Sequence, residues 1–282
     1  MDTQRFLSAS RLLILAGKGG VGKSVVSAAL ATVATREGLN PLHIRIDDTG
    51  NTASLPAGTD SLHLTAGAAL SEYLQGRGLG IVTRQLERLG IVSLVASIAP
   101  GMDDLLVLGK LKQLVRDDPH DVVIVDGPAA GHAVDLLRAP GVLGRTVAAG
   151  PVAQQAQDVL GMLADGAAAR VMFVTRPAAT PVSEMLETAT SMVDDLGITL
   201  APVVMNAVHA PSPVDPASVG GAVRDAAEYC TARHLAEAEA IRSAAASTGL
   251  PLLMVTHRVA DGHELVAKVA DDLHRAIEEM PG

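Results

Sequence analysis

Short apolar runs alternate with longer stretches of helical spacing along this chain, which predicts a mostly parallel sheet covered by helices. Six runs read as strands: Leu12–Ala16, Leu42–Asp47, Val122–Asp126, Val171–Thr175, Leu200–Asn206 and Leu252–Val255. Most are rich in Val, Ile and Leu with little polar alternation, as expected of strands buried on both faces. The clearest helix begins near Thr180, with Thr180 expected to cap it, Pro181 to suit its first turn and Gly197 to end it. Met185, Leu186, Ala189, Met192, Val193 and Leu196 recur at helical spacing and predict one buried face. Two stretches read as helical additions, about 66–118, rich in Leu, and about 140–165, rich in Ala and Gly. Pro211–Pro216 reads as a loop before a polar helix of roughly 25–30 residues, and a last helix is expected over His263–Met280. No repeat or low-complexity tract interrupts the pattern. The fold class is α/β: one doubly wound, mostly parallel domain over residues 1–282 with a small helical subdomain.

The first strand runs into Gly17-Lys18-Gly19-Gly20-Val21-Gly22-Lys23-Ser24 and then a helical run. Gly, four residues, Gly, Lys and Ser/Thr is the phosphate-loop pattern. Glycines let successive N–H groups turn inward toward phosphate oxygens, and the new helix adds its positive N-terminal end. Gly17, Lys18, Gly19, Gly20, Val21, Gly22, Lys23, Ser24 and Val25 are therefore the expected nucleotide-binding residues, with Lys23 reaching the β- and γ-phosphates and Ser24 binding Mg²⁺. A glycine-rich turn without a ligand is the alternative. The second strand ends in Ile46-Asp47-Asp48-Thr49-Gly50-Asn51, where a carboxylate beside the loop can orient a water or hold Mg²⁺ through water. An ordinary Asp-rich turn would look the same.

Composition narrows the function further. The 282 residues are 48% hydrophobic and 19% charged, with a net charge of −9 and no basic run. That is ample core material, and it lacks the cationic stripe of a nucleic-acid binder. Cys230 stands alone, so no disulfide or cysteine metal cluster forms within the chain, and a reducing cytoplasm is expected. Residues 1–10 do not have a signal-peptide layout, and the charge-free stretch from Gly197 to Val214 carries three prolines, so membrane insertion is not expected. With no Trp, two Tyr and two Phe, the core must be built from aliphatic side chains.

Lys18, just after the first glycine, resembles the second lysine of the "deviant" phosphate loops in dimeric septum-positioning, chromosome-partitioning and arsenite-pump ATPases. The segment from Asp126 through Gly127, Pro128, Ala129, Ala130, Gly131 and His132 to Arg138 resembles the Asp-Thr-Ala-Pro-Thr-Gly-His motif of the arsenical-pump and tail-anchored-protein-targeting ATPases. Ala99–Asp104 and Val203–Asn206 support the same branch, and Pro100–Val115 and Ala139–Gln155 look most like bacterial, particularly actinobacterial, members. The resemblance runs from about residue 11 to the C-terminus. It implies ATP and Mg²⁺ as cofactors, catalytic roles for Asp47 (positioning the lytic water) and Lys18 (reaching the partner's nucleotide), Asp126 as a second metal residue beside Ser24, and Asn206 as reader of the adenine. Asn51 matches a polar residue of the first switch, and Glu184 falls near an acidic residue that touches the partner's nucleotide in some members.

Departures from the family pattern carry physical weight. Asp48 replaces a proline, adding negative charge and loosening the loop, while Gly127 and Ala130 replace threonines and remove two hydroxyls. They point toward slow or partner-dependent hydrolysis. The paired-cysteine zinc motif and the three-cysteine arsenite site are missing. The Leu-rich helix Asp104–Arg116 places Leu105, Leu108, Leu111, Leu114 and Val115 mostly on one side, either as core or as a groove for a hydrophobic client. His132, His257 and His263 read as solvated loop histidines. The expected function is a Mg·ATP-binding ATPase that pairs with itself or a paralogous ATPase and controls a client or partner protein. The alternatives are a weakly hydrolysing regulatory subunit of a hetero-oligomer and a partition- or septum-type ATPase, the latter disfavoured by the acidic charge and the acidic final helix.

Overall fold

A computed structural model describes residues 1–46, 54–76, 100–117, 119–147 and 149–281. Among these residues seven strands form one sheet: β1 (Leu12–Gly17), β2 (Pro41–Arg45), β3 (Asp60–His63), β4 (Val122–Ala129), β5 (Ala169–Thr175), β6 (Val203–Val208) and β7 (Leu252–Thr256). Their order is β3-β2-β4-β1-β5-β6-β7 and every pairing is parallel. The chain winds outward from central β1 to one edge, returns at β4, and then builds the other half. Such reversals place ligands beyond the carboxyl ends of the strands, which is where the phosphate loop leaves β1.

Nine helices are described: α1 (Thr3–Leu7), α2 (Lys23–Arg36), α3 (Ala66–Gly76), α4 (Met102–Asp117), α5 (Ala130–Thr146), α6 (Pro151–Ala164), α7 (Ala179–Leu196), α8 (Gly221–Thr248) and α9 (Gly262–Glu278). Successive strand residues point to opposite faces, so each central strand feeds two cores. Leu12, Ile14, Val123, Val125, Val171 and Phe173 pack under α4 to α7. Leu13, Leu15, Ile124, Met172 and Val174 pack under α2 and α9. Helix α2 is buried over Val26–Ala34, and its small residues let it lie close to the sheet. No helix among the described residues is long and apolar enough to cross a membrane.

The six expected strands are present, with altered ends. β4 runs three residues past Asp126, whereas β2 stops at Arg45 and Asp47 lies outside the described residues. β6 starts at Val203 rather than Leu200, which makes only an isolated bridge to Val171; Pro202 has no N–H to continue the ladder. β3 escaped the pattern because it is a four-residue edge strand, Asp60-Ser61-Leu62-His63, largely exposed. Helix α7 begins at Ala179 after Ala178, with no side-chain cap, so Thr180 lies inside the helix instead of capping it; Gly197 does end it, in the left-handed conformation. On its expected buried face Val193 is 44% exposed, while Val182 is buried instead. The 66–118 addition contains α3 and α4, with residues 77–99 and 118 outside the described set. Pro140 does not open a new element but lies within α5, and α6 follows it. The polar helix α8 has 28 residues, within the expected range.

Two packing details carry predictions. Gly127 lies so close to β1 that a Cβ there would sit 2.2 Å from the Leu15 carbonyl oxygen. The loss of a family hydroxyl at this position is thus also a steric requirement. Gly127→Thr is expected to destabilise the fold by roughly 2 kcal/mol and lower Tm by roughly 5 °C, read by scanning calorimetry. His43 on β2 is 2% exposed and its Nε2 lies 2.9 Å from Ser27 Oγ. Since that hydroxyl donates to the Ser24 carbonyl at 3.0 Å, the imidazole is the donor to it, and His43 Nδ1 is left buried with no partner. Burial, reinforced by nearby Arg45, lowers the His43 pKa to about 4. A depressed folded pKa gives stability that is complete above the unfolded value near 6.5 and is lost as pH falls toward 4. Denaturant titrations should show a loss of about 3 kcal/mol from this group between pH 7.5 and 3.5, and His43→Gln should flatten that part of the profile.

Candidate nucleotide site

Between the end of β1 at Gly17 and the start of α2 at Lys23 the chain reverses through Lys18–Gly22. Gly22 has φ +98°, and a Cβ there would stand 2.3 Å from Asn206 Nδ2. That Asn206 amide donates to the Val21 carbonyl at 2.7 Å, tying the end of β6 to the loop. Val21 is buried, whereas Lys18, Gly19 and Gly20 are exposed. No side chain caps α2 at Gly22, so the first-turn N–H groups, including those of Ser24 and Val25, have no intrahelical acceptor. Lys23 folds back over the turn, its Nζ donating to the Gly17 carbonyl at 3.0 Å and lying 3.5 Å from the Lys18 carbonyl. Exposed glycine backbone, an uncapped helix start and a lysine held above it form an anion cradle.

Asp126 is buried within β4, in register with Leu15 of β1 and Arg45 of β2. It sits inside a strand that continues to Ala129, which is in register with Gly17, and Ala130 is the first residue of α5. The site therefore joins the phosphate loop to the Asp126 segment through direct strand pairing. Of the expected metal residues, Ser24 is half-buried at the head of α2 and Asp126 is buried in β4. No group of three His, Cys, Asp or Glu side chains among the described residues could hold a metal alone. Few protein ligands suit Mg²⁺ next to a nucleotide, because that ion keeps waters and takes phosphate oxygens.

Lys18 makes its ion pair inside its own chain: Nζ is 2.7 Å from Glu184 Oε1 on α7, with both side chains about half exposed. A cleft of about 300 Å³ lies here, bordered by Lys18, Gly19, Ala130, Glu184, Glu187 and Thr188. The structure thus brings Glu184 to the loop of its own chain. An exposed pair of this kind contributes only about 0–1 kcal/mol, so another anion can readily displace it.

Asp47, Asp48 and Asn51 lie outside the described residues. Near the Asp126 segment, Gly101 packs against Ala139 of α5, and Asp104 lies near Asp103, Asp135 and His132. Burial, then the two neighbouring carboxylates, raises the Asp104 pKa, with His132 opposing. The Leu-rich stripe of α4 is core: Leu105, Leu108 and Leu111 are buried against the sheet, and Leu114 and Val115 pack at its margin. Leu105 of that stripe, with Leu106, also lines a cleft of about 720 Å³ that opens between α3, α4 and α6. His132 and His263 are exposed helical residues, the first on α5 and the second on α9. His257 is an exposed loop residue, as expected, and there it stacks on His209, a residue that sequence reading did not single out. The two are 48 positions apart, and only the pairing of β6 with β7 brings them together.

Known proteins resemble this chain over much of its length. Residues 77–207 match the family model described as "Anion-transporting ATPase", a match that lies wholly downstream of the phosphate loop. The chain is 32% identical over 206 residues to the ATPase BagA of Mycobacterium tuberculosis, covering 64% of this chain and 60% of that protein. It is 25% identical over 174 residues to the ATPase ARSA1 of Chlamydomonas reinhardtii, covering 49% and 22% respectively. To the ATPase GET3B of Arabidopsis thaliana it is 23% identical over 168 residues, covering 48% and 41%. This chain spans about three fifths of the length of its mycobacterial relative. Sequence motifs, family model and relatives converge: the chain is similar to the anion-transporting ATPases.

Proposed function

We propose that this chain is a Mg·ATP-binding ATPase that works as a nucleotide-switched dimer and thereby controls a client or partner protein. The observation that carries this reading is the cradle itself: the loop Gly17–Ser24, sterically restricted to glycine at Gly22, opens onto the uncapped start of α2 with Lys23 folded over it. In this reading the loop N–H groups and Lys23 bind the phosphates. Ser24 and Asp126 would hold Mg²⁺, which supplies positive charge against the β- and γ-phosphates. Asp47 orients the attacking water, a role that rests on the family resemblance. Lys18 leaves Glu184 and serves the nucleotide of a second subunit, itself or a paralogue, as a cation supplied in trans. Because β4 is paired to β1 and runs directly into α5, a change at Asp126 is transmitted to that helix. Loss of the γ-phosphate would thus be felt as a conformational change.

A weakly hydrolysing regulatory subunit is the second reading. Gly127 favours it, because its contact with Leu15 leaves no room for the threonine of the family motif. Calorimetry of the full chain with Mg·ATP should show binding, and Lys23→Ala should weaken it at least about 10-fold; a wild-type chain giving no heat with ATP or ADP would remove both readings. Sedimentation with a non-hydrolysable ATP analogue should show a dimer that Lys18→Ala weakens while nucleotide still binds. A dimer with negligible turnover would select the regulatory reading.

A further inference from the structure

Aromatic rings are scarce in this chain, which has two Phe, two Tyr and no Trp. Phe173 is fully buried within β5, Phe6 is on α1, and Tyr73 and Tyr229 are exposed on α3 and α8. Two imidazoles nevertheless meet at the carboxyl edge of the sheet. His209, just past β6, and His257, just past β7, stack with ring centroids 4.3 Å apart and planes 23° apart. The His257 N–H donates to the Val208 carbonyl at 2.8 Å. Behind them, Glu237 of α8 is 6% exposed and its carboxylate accepts from the His209 backbone N–H at 2.9 Å. The same carboxylate lies 2.8 Å from His209 Nδ1 and accepts from Arg233 Nε at 3.1 Å. His209 is therefore an anchored back plate, and His257 rests on it while remaining exposed.

Strand β6 is bent to produce this arrangement. Ala207 has φ +59°, the one non-glycine positive φ among the described residues, and the β6–β7 register shifts between Met205 and Val208. Alanine adopts that conformation at an energetic cost, and such irregularities re-aim side chains. Before the bend, Asn206 is turned onto the Val21 carbonyl of the phosphate loop; after it, His209 is turned onto His257. Three residues of chain span at most roughly 10 Å, so the ring stack lies within a nucleoside's reach of the loop.

We propose that the His209–His257 stack is the base platform of the nucleotide site, with His257 offering its exposed ring to a purine while the Gly17–Ser24 loop holds the phosphates. This inference rests on the nucleotide reading given above and assigns the part of that site that selects the base. Desolvation, then His209, Arg233 and Arg176, lowers the His257 pKa, with Glu237 opposing, which favours the neutral ring. Stacking discriminates by the size of the π-face, which favours purines over pyrimidines.

Calorimetry on the full chain with ATP, CTP and inorganic tripolyphosphate, each with Mg²⁺, tests this proposal. Wild type should prefer ATP to CTP. His257→Ala should lose roughly 10-fold in ATP affinity while tripolyphosphate affinity is unchanged, and His257→Phe should restore ATP binding. In proton NMR the His257 ring resonance should shift on titration with ATP and not with tripolyphosphate. Unchanged ATP affinity in His257→Ala, an equal loss for tripolyphosphate, or a His257 resonance that ignores ATP would overturn the proposal while leaving the phosphate loop's role intact. A wild-type chain that binds neither ATP nor tripolyphosphate would overturn the nucleotide reading as well.

Discussion

Close approach of the phosphate loop to its neighbouring strands is the constraint on which the rest of this structure depends. A Cβ at Gly17 would lie 2.2 Å from the Val174 carbonyl oxygen, one at Gly22 would meet the Asn206 amide, and one at Gly127 would meet the Leu15 carbonyl oxygen. Three glycines from two segments thus let β1, β4, β5 and the end of β6 converge on one short turn. The convergence is held from below by two aliphatic cores and laterally by the Asn206–Val21 hydrogen bond. Because protein interiors are close-packed, a substituent at any of these positions would have to move a strand.

The same convergence gives the site its electrostatic character. Backbone N–H groups at the start of α2 and the ammonium of Lys23 concentrate positive potential above the loop, in a chain whose net charge is −9. Lys18 stands apart from this group, held by Glu184 across an exposed ion pair. Two lysines in one loop therefore have different environments: one is folded into the turn, and the other is on a weak tether that a competing anion can replace. At the other end of the loop, the strained Ala207 and the His209–His257 stack give β6 and β7 a defined surface where most of the chain offers only aliphatic or charged side chains.

Much of the framework was readable in advance, because buried parallel strands are continuous apolar runs and the phosphate loop is a local pattern with a local cause. The same logic explains what was misplaced. β3 has one apolar residue in four and lies at an edge, so it carries no strand periodicity. The expected strand stops at Asp126, whereas β4 continues through Gly127, where the missing side chain allows it to press against β1. Thr180 was assigned a cap from its residue type, but the helix begins one residue earlier, at Ala179.

Local sequence determined most of the strands, the glycine-rich turn and the helix that follows it, since each depends on neighbours within a few positions. Tertiary structure alone decided that Lys18 meets Glu184, that Asn206 locks Val21, and that His209 and His257 share a stack. Those contacts join residues separated by 166, 185 and 48 positions, and no periodicity or spacing encodes them. They follow from the order in which the strands are laid side by side, which the chain specifies only through the packing of the whole sheet.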